Sequence, residues 1–583
     1  MSSSRSILVF ILGLSIVGPS LASAQEPSAR DPECAARSLL PNEALAGVFA
    51  DYTRAAELAG AAPLRPRLIR RANDERALPL CADHPAPLWA THLPVDTVAA
   101  GSRSLHIGFL PPAAVIRSNS GYPKDRNDGA LWPGRGASTA LHAGVEARWD
   151  FGWGVVSATL APAFLFQENR DFDTKTVDLA GHSPFIYPWH GGRIDWPQRF
   201  GDKALSSFEW GQSRIRLDVR GWTVGVSTEN LWWGPAAHFP LLMSNTAPGF
   251  PHVFIGSARP LATPIGRVEG QLIWGWLRES DYYDHDPSND RRLLASLVVD
   301  YEPRWLPGLY LGAARSYLAH MPEEGLDLLE YIERPYTRIR DNPLGRNNIL
   351  RDNQLFSIFA RWAFPEVGFE VFAEWARDDH WEDLDDLLME PDHSQTYMLG
   401  FQKVVLAGPR WVRLYGELAH LQSSSTYRSG RGGPFIMYAH SQLRQGYTHR
   451  GQLLGAAIGP GSDAQILGAD VFAPWGMAGL FLERVRWDND AYYQNWARYY
   501  GYRGHDVELT VGLRNQLFAG DFQIGWGLAY STRKNRNFIG LDGFSQEFRV
   551  DTNLSLDLSV SWSPGPRPES GPALPVSARP DGR

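Results

Sequence analysis

Three stretches of this chain combine flat aromatic rings, amides and guanidinium groups. Residues 228–252 carry Trp232, Trp233, His238 and Asn245, and residues 168–212 carry Trp189, Arg193, Asp195, Trp196 and Arg199. Residues 487–505, WDNDAYYQNWARYYGYRGH, carry Tyr493, Trp496 and Arg503. These side-chain types suit a glycan. A ring face stacks on the apolar face of a sugar, and an amide both donates and accepts. Arginine holds a carboxylate through paired hydrogen bonds, which fits an acidic polysaccharide. Were the ligand a glycan, the candidate set would be Trp232, Trp233, Asn245, Trp196, Arg199, Tyr493, Trp496 and Arg503. A structural alternative stands beside it. WWGP and SNTAPGF are rich in Gly, Pro and Asn, which set turns, so 232–250 can instead fold inward as a plug.

Enzymatic motifs are missing from the sequence: there is no G-x-S-x-G elbow, no H-E-x-x-H pair and no cysteine metal cluster. DLDDLLMEPDH at 383–393 offers carboxylates and a histidine but reads as a solvated acidic loop. No enzyme, no catalytic residue, no metal and no cofactor is expected. A net charge of −8 over 583 residues leaves no basic footprint for nucleic acid.

Loops that present such groups need a rigid body, and the chain supplies one by alternation. Leu141, Ala143, Val145, Ala147 and Trp149 alternate with His142, Gly144, Glu146 and Arg148. Ile215, Leu217 and Val219 alternate with Arg214, Arg216, Asp218 and Arg220; Val507, Leu509, Val511 and Leu513 oppose Glu508, Thr510 and Arg514. Many segments of this kind mark an antiparallel transmembrane β-barrel with apolar residues toward lipid and polar ones toward the lumen. Strand-end tryptophans such as Trp149, Trp362, Trp375 and Trp562 suit interfacial girdles.

Loop lengths point the same way. Short links near 150–152, 220–221, 302–307, 365–368, 407–410, 473–476 and 518–521, and a longer one at 258–266, alternate with long loops. Short turns belong to the periplasmic side of an outer-membrane barrel. Strands are expected to start near 104, 138, 153, 213, 222, 253, 267, 292, 308, 353, 369, 395, 411, 465, 477, 506, 522 and 547, which makes 18. RGQLLGAAIG at 450–459 can hold an extra piece of strand. An even count puts both ends on the periplasmic side and the long loops outside. A barrel of this size is also wide enough for a channel. An outer-membrane porin or a polysaccharide or solute channel is therefore the alternative function.

The ends complete the expected organisation. Arg5, the apolar run 7–17 and the small residues 22–24 follow the order of a secretory signal peptide, 1–24. Residues 25–103 form a small helical periplasmic segment, with a helix after Asn42 and a second, basic one at 65–71. Cys34 and Cys81 can form one disulfide, closing a loop of roughly 48 residues worth about 4 kcal/mol. The barrel runs over 104–562 and closes on DTNLSLDLSVSW, 551–562. A disordered proline-rich tail, 563–583, follows.

The loop motifs carry a family resemblance. NDGALWPGRGAS at 127–138, QENRDF at 167–172 and IDWPQRFGD at 194–202 occur in order. STENLWWGPAAHFPLLMSNTAPGFPH at 227–252 and TPIGRVEGQLIWG at 263–275 follow them. This series resembles the capsule assembly protein Wzi family. The resemblance implies an 18-stranded outer-membrane barrel with periplasmic helices at its N-terminus. It implies a lectin-like monomer that helps attach capsular or other surface polysaccharide to the cell exterior. The alternating last strand ending on Trp562 also resembles the signal that barrel-assembly machinery reads. Outer-membrane lipid, that machinery and the polysaccharide are the expected partners.

Overall fold

The computed structural model describes residues 35–37, 43–75, 77–79, 105–125, 127–321, 352–378, 388–389, 392, 394–423, 436–541 and 548–562. Residues 1–24 (the expected signal peptide), Cys34, Cys81 and residues 563–583 lie outside the described residues, so the expected disulfide does too.

Among the described residues the main sheet is one closed antiparallel barrel of twenty-one strand segments. Three pairs of segments are halves of one interrupted strand: Val155–Leu160 with Ala163–Gln167, Leu205–Glu209 with Arg214–Val219, and His252–Ser257 with Leu261–Thr263. That leaves eighteen strands around the barrel. Closure comes from the last strand, Val550–Trp562, which pairs with the first, Leu105–Asn119, from Ser555 against Asn119 to Ser561 against Ala113. The pairing removes both sheet edges, which a chain in lipid must do to satisfy its backbone.

Side-chain direction along each strand follows the alternation. Leu554 and Leu556 are each 48% exposed on the outer face, whereas Asn553 and Ser561 are buried inside. Ile215, Leu399, Leu467 and Leu509 stand outward in the same way. A continuous apolar exterior of this extent has no place in water and is the lipid-facing band. At one end the strands join through tight turns. Arg220 and Gly221 both take positive φ, 50° and 89°, between the paired residues Val219 and Trp222, the geometry of a two-residue type I′ turn. The link at 258–266 is shorter than its sequence indicates. Leu261–Thr263 pairs back onto Gly266–Val268, so only Pro264 and Ile265 turn the corner.

Two inserts occupy the interior. The first enters at the short-turn end and contains the helix Val48–Leu58. Tyr52 stacks on the wall residue Trp411 at 5.6 Å, with an interplanar angle of 11°. Asp51 bridges Arg413 at 2.8 Å and Arg514 at 2.6 Å, and Arg54 pairs with Glu370. Glu57 holds Arg67 at 2.8 Å and Arg361 at 3.0 Å. The basic run 65–71 does not continue as the expected second helix. Ile69–Arg71 is extended and pairs antiparallel with Leu231–Trp233, because the backbone of the second insert offers it a strand partner.

The second insert comes from the long-loop end and consists of 228–251 packed on 436–458. Glu417 of the wall accepts the amides of Ala237 at 2.8 Å, His238 at 3.1 Å and Phe239 at 2.6 Å. Glu374 accepts the amide of Leu241 at 3.1 Å. Gly234, at φ +83°, lies so close that a Cβ there would sit 2.8 Å from the Glu374 carboxylate. The Tyr438 hydroxyl donates to the Leu241 carbonyl at 2.6 Å. RGQLLGAAIG does contain a strand piece, Gln452–Leu453, but it pairs with Thr448–His449 inside the lumen rather than in the wall. Phe239, Leu241, Met243, Phe250, Tyr438 and Leu453 join inward wall residues such as Ile273, Leu294 and Leu355 in one apolar core. The lumen is thus packed like a soluble protein's interior. A side cavity of about 250 Å³ remains between the inserts and the wall residues Gly525, Gly527 and Ala529.

Candidate functional site: a cleft at the long-loop end

The loops beyond the barrel form two neighbouring chambers, together a cleft. Both are lined by Tyr122, Phe172 and Arg536. The inner chamber, about 110 Å³, adds Trp132, Trp196, Trp487 and Arg533. Its floor is the lumen insert itself, through Thr246 and Gln452. Gln452 donates to the Thr246 carbonyl at 3.0 Å, so insert and cleft share one scaffold. The outer chamber, about 220 Å³, is polar and adds Arg135, Asp171, Asp173, Arg549 and Asp551.

A turn with unusual backbone aims Arg536 into the cleft. Asn535, Asn537 and Phe538 all take positive φ, at 55°, 48° and 52°. Asparagine tolerates that region, whereas an aromatic residue there is strained. Packing and hydrogen bonds hold the turn. Asn535 donates to the Arg503 and His505 carbonyls at 3.1 and 3.2 Å, and Asp506 accepts the Asn537 amide at 2.7 Å. Phe538 sits between Trp189 at 5.6 Å and Trp496 at 4.7 Å. Arg536 then donates to Asp551 at 3.0 Å and to the Asp173 carbonyl at 2.7 Å. Arg549 pairs with Asp551 at 2.7 Å and Asp173 at 2.6 Å, and this contact holds the Asp173 carboxyl below its usual range.

The wall of the inner chamber is set by the turn at 194–200. Asp195 is fully buried and accepts the Ser280 amide at 2.8 Å and its hydroxyl at 2.6 Å. Burial pushes its carboxyl up to about 6. Trp196, half-buried, packs on Tyr187 at 4.9 Å. Across the chamber Arg533 forks onto Asp506 at 2.8 and 2.7 Å and lies 4.4 Å over the Trp487 ring. The whole surface offers ring faces beside alternating donors and acceptors, the arrangement that holds hydroxyl groups.

The eight residues singled out in the sequence separate into five groups. Trp196 lines the inner chamber. Arg199 is buried behind the outer one, bonded to Asp171 at 2.7 Å and to the Asn169 carbonyl at 2.8 Å. Trp496 is buried in the cluster that holds the strained turn. Tyr493 and Arg503 are exposed on the same loop, away from the chamber linings. Trp232, Trp233 and Asn245 do not reach the surface at all: each is fully buried in the lumen insert. Arg70 of the first insert lies 4.7 Å over the Trp232 ring, and the Trp232 indole donates to the Ala236 carbonyl at 3.1 Å. These tryptophans clamp the two inserts together, so the plug alternative is the correct one for this motif.

Sequence reasoning missed Arg536, Arg549, Asp551 and Asp173. Asp171 and Phe172 stand in the quoted motif QENRDF, but Arg536 reaches a carbonyl 363 positions away. No local spacing carries that signal.

A family model described as Capsule assembly protein Wzi matches residues 153–472. Among solved structures, an outer membrane protein of Escherichia coli has the same overall fold. It is described as Wzi, involved in group 1 capsule assembly and a carbohydrate-binding β-barrel. The alignment has 11% identity and a TM-score of 0.50 over 78% of this chain and 85% of that one. OccK2 (OpdF) of Pseudomonas aeruginosa aligns at 10% identity and a TM-score of 0.36, over 78% of this chain and 98% of that one. No curated protein matches the chain. The family match includes Trp196 and Arg199 and stops before Arg536 and Arg549.

Proposed function

The chain belongs to the capsule assembly protein Wzi family, and from that premise we propose that this outer-membrane β-barrel binds capsular or other surface polysaccharide and helps hold it at the cell exterior. In this reading the long loops are extracellular, both ends of the barrel are periplasmic, and the two-chambered cleft is where the polymer sits. The observation that carries it is the pairing of a filled lumen with a preformed aromatic and polar cleft above it. A packed interior leaves the loop surface as the place for chemistry. Tyr493 and Arg503, exposed on the loop that buttresses the cleft, extend the surface a polymer can follow.

Retention of the cell's own surface polysaccharide by the purified full-length chain tests this. Arg536→Ala removes two hydrogen bonds of the outer chamber and Trp196→Ala one ring face. Those bonds tie Asp551 to the Asp173 carbonyl, so Arg536→Ala loosens the outer chamber and should weaken retention by roughly tenfold. Tyr493→Ala and Arg503→Ala should weaken it less. Equal retention by wild type and both cleft variants would sink the assignment. A porin reading demands a steady conductance across planar bilayers, and a large one from the wild type would replace the binding reading with a channel.

A further inference from the structure

We infer that the outer chamber selects an uncharged, hydroxyl-rich sugar unit and disfavours an acidic one. This deepens the polysaccharide reading and rests on it. Capturing a carboxylate takes an arginine fork with free donors. Among the described residues, each guanidinium lining the outer chamber already holds two protein acceptors, so its charge is shared before any ligand arrives. Arg549 gives its Nε to Asp551 and an Nη to Asp173. Arg536 is held by Asp551 and the Asp173 carbonyl. Arg135 donates to the Ser120 and Asp171 carbonyls. Behind them Arg199 is committed to Asp171 and Asn169. Among the described residues three arginines and three aspartates line the chamber, and their formal charges cancel.

Exposure adds a direction to this balance. The Asp171 side chain is 89% exposed and that of Asp173 65%, against 36% for Arg549 and 5% for Arg536, while Asp551 at 14% lies deeper. An incoming carboxylate therefore meets carboxylate oxygens first, and like charges repel. A hydroxyl meets no such conflict. It donates to an aspartate oxygen and accepts from a neighbouring N–H without breaking either ion pair. Adjacent hydroxyls on one ring can bridge Asp173 and Arg549 in this way.

The test compares the cell's own surface polysaccharide before and after carbodiimide–borohydride reduction, which converts uronic acids to neutral sugars. Purified full-length protein should retain the reduced polymer within twofold of the native one or better. Raising NaCl from 50 to 500 mM should change retention less than twofold. The double variant Asp171→Asn, Asp173→Asn should weaken retention of the reduced, neutral polymer at least threefold, because charged acceptors are lost. A tenfold loss on carboxyl reduction, a tenfold loss with salt, or a gain in the double variant would each overturn the neutral-sugar inference while leaving polysaccharide binding intact. Failure to retain either polymer would instead remove the binding reading, and this inference with it.

Discussion

Removing the Glu57 carboxylate should release the helix Val48–Leu58 from the barrel without opening the barrel itself. Glu57 is wholly buried and sits between Arg67 at 2.8 Å and Arg361 at 3.0 Å, both buried, with Arg65 at 3.5 Å. In Glu57→Ala these guanidinium groups lose a shared anion, and Arg361 keeps Glu370 and the Arg65 carbonyl. Breaking a buried ion pair by deleting one partner costs about 3–5 kcal/mol, because the remaining charge stays desolvated. At 1.4 kcal/mol per decade the undocked population rises by roughly 10²–10⁴-fold. The strand ladder does not depend on Glu57, so heat-modifiable migration of the barrel on gels should persist. Proteolysis of the N-terminal segment under conditions of fast reclosing tracks the open population. Cleavage should therefore accelerate by two orders of magnitude or more. Glu57→Gln keeps the shape and one hydrogen bond and should fall between. A cleavage rate within threefold of wild type, with the barrel intact, would refute the reasoning. It would assign docking to the Tyr52–Trp411 stack and its apolar neighbours instead.

Three further outcomes follow from the same structure. Glu417→Ala strips the acceptor from the amides of residues 237–239; at about 1–3 kcal/mol for each buried donor left unpaired, hydrogen exchange there should rise steeply, and unchanged protection would contradict the role given to Glu417. Trp232→Ala should destabilise the inserts by about 3–5 kcal/mol, yet polysaccharide retention per folded molecule should stay at the wild-type level; a selective loss of retention would return Trp232 to the binding set. The pH dependence has a defined sign. Burial raises Asp195 to about 6, and likewise Asp490, above the usual value near 3.9. The fold thus favours their neutral forms. Their contribution to loop packing is complete below about pH 4 and fades as pH rises through about 6. Hydrogen exchange of 194–200 and 488–492 should be slower at pH 5 than expected from its pH 8 value after intrinsic correction, and the reverse order would be incompatible with these shifts.

The barrel was legible because its signal is local. Side chains in a strand alternate faces every residue, so Leu554, Leu556 and Trp562 declare the lipid side before any partner is known. Turn chemistry is equally local, as Arg220–Gly221 shows. The interrupted strands were harder. Leu205–Glu209 lies inside what reads as one long loop, and its pairing with Ala163–Gln167 crosses some forty residues of irregular chain. The site was legible only in part. Trp196 lines the cleft as its type suggests, while Trp232 and Trp233 have the same type and the opposite fate.

What the sequence by itself determined is the wall: a closed, two-faced sheet follows from period-two alternation, alternating loop lengths and an even strand count. The tertiary structure alone decided the filling of that wall and the place of the cleft. Whether a tryptophan meets solvent or a neighbouring insert depends on contacts such as Arg70 with Trp232, 162 positions apart. Whether an arginine is a free fork or a spent one depends on aspartates as distant as Asp173 is from Arg549, 376 positions away. Alternation is written into consecutive residues by backbone geometry. Burial and charge pairing belong to neighbours that only the closed barrel brings together.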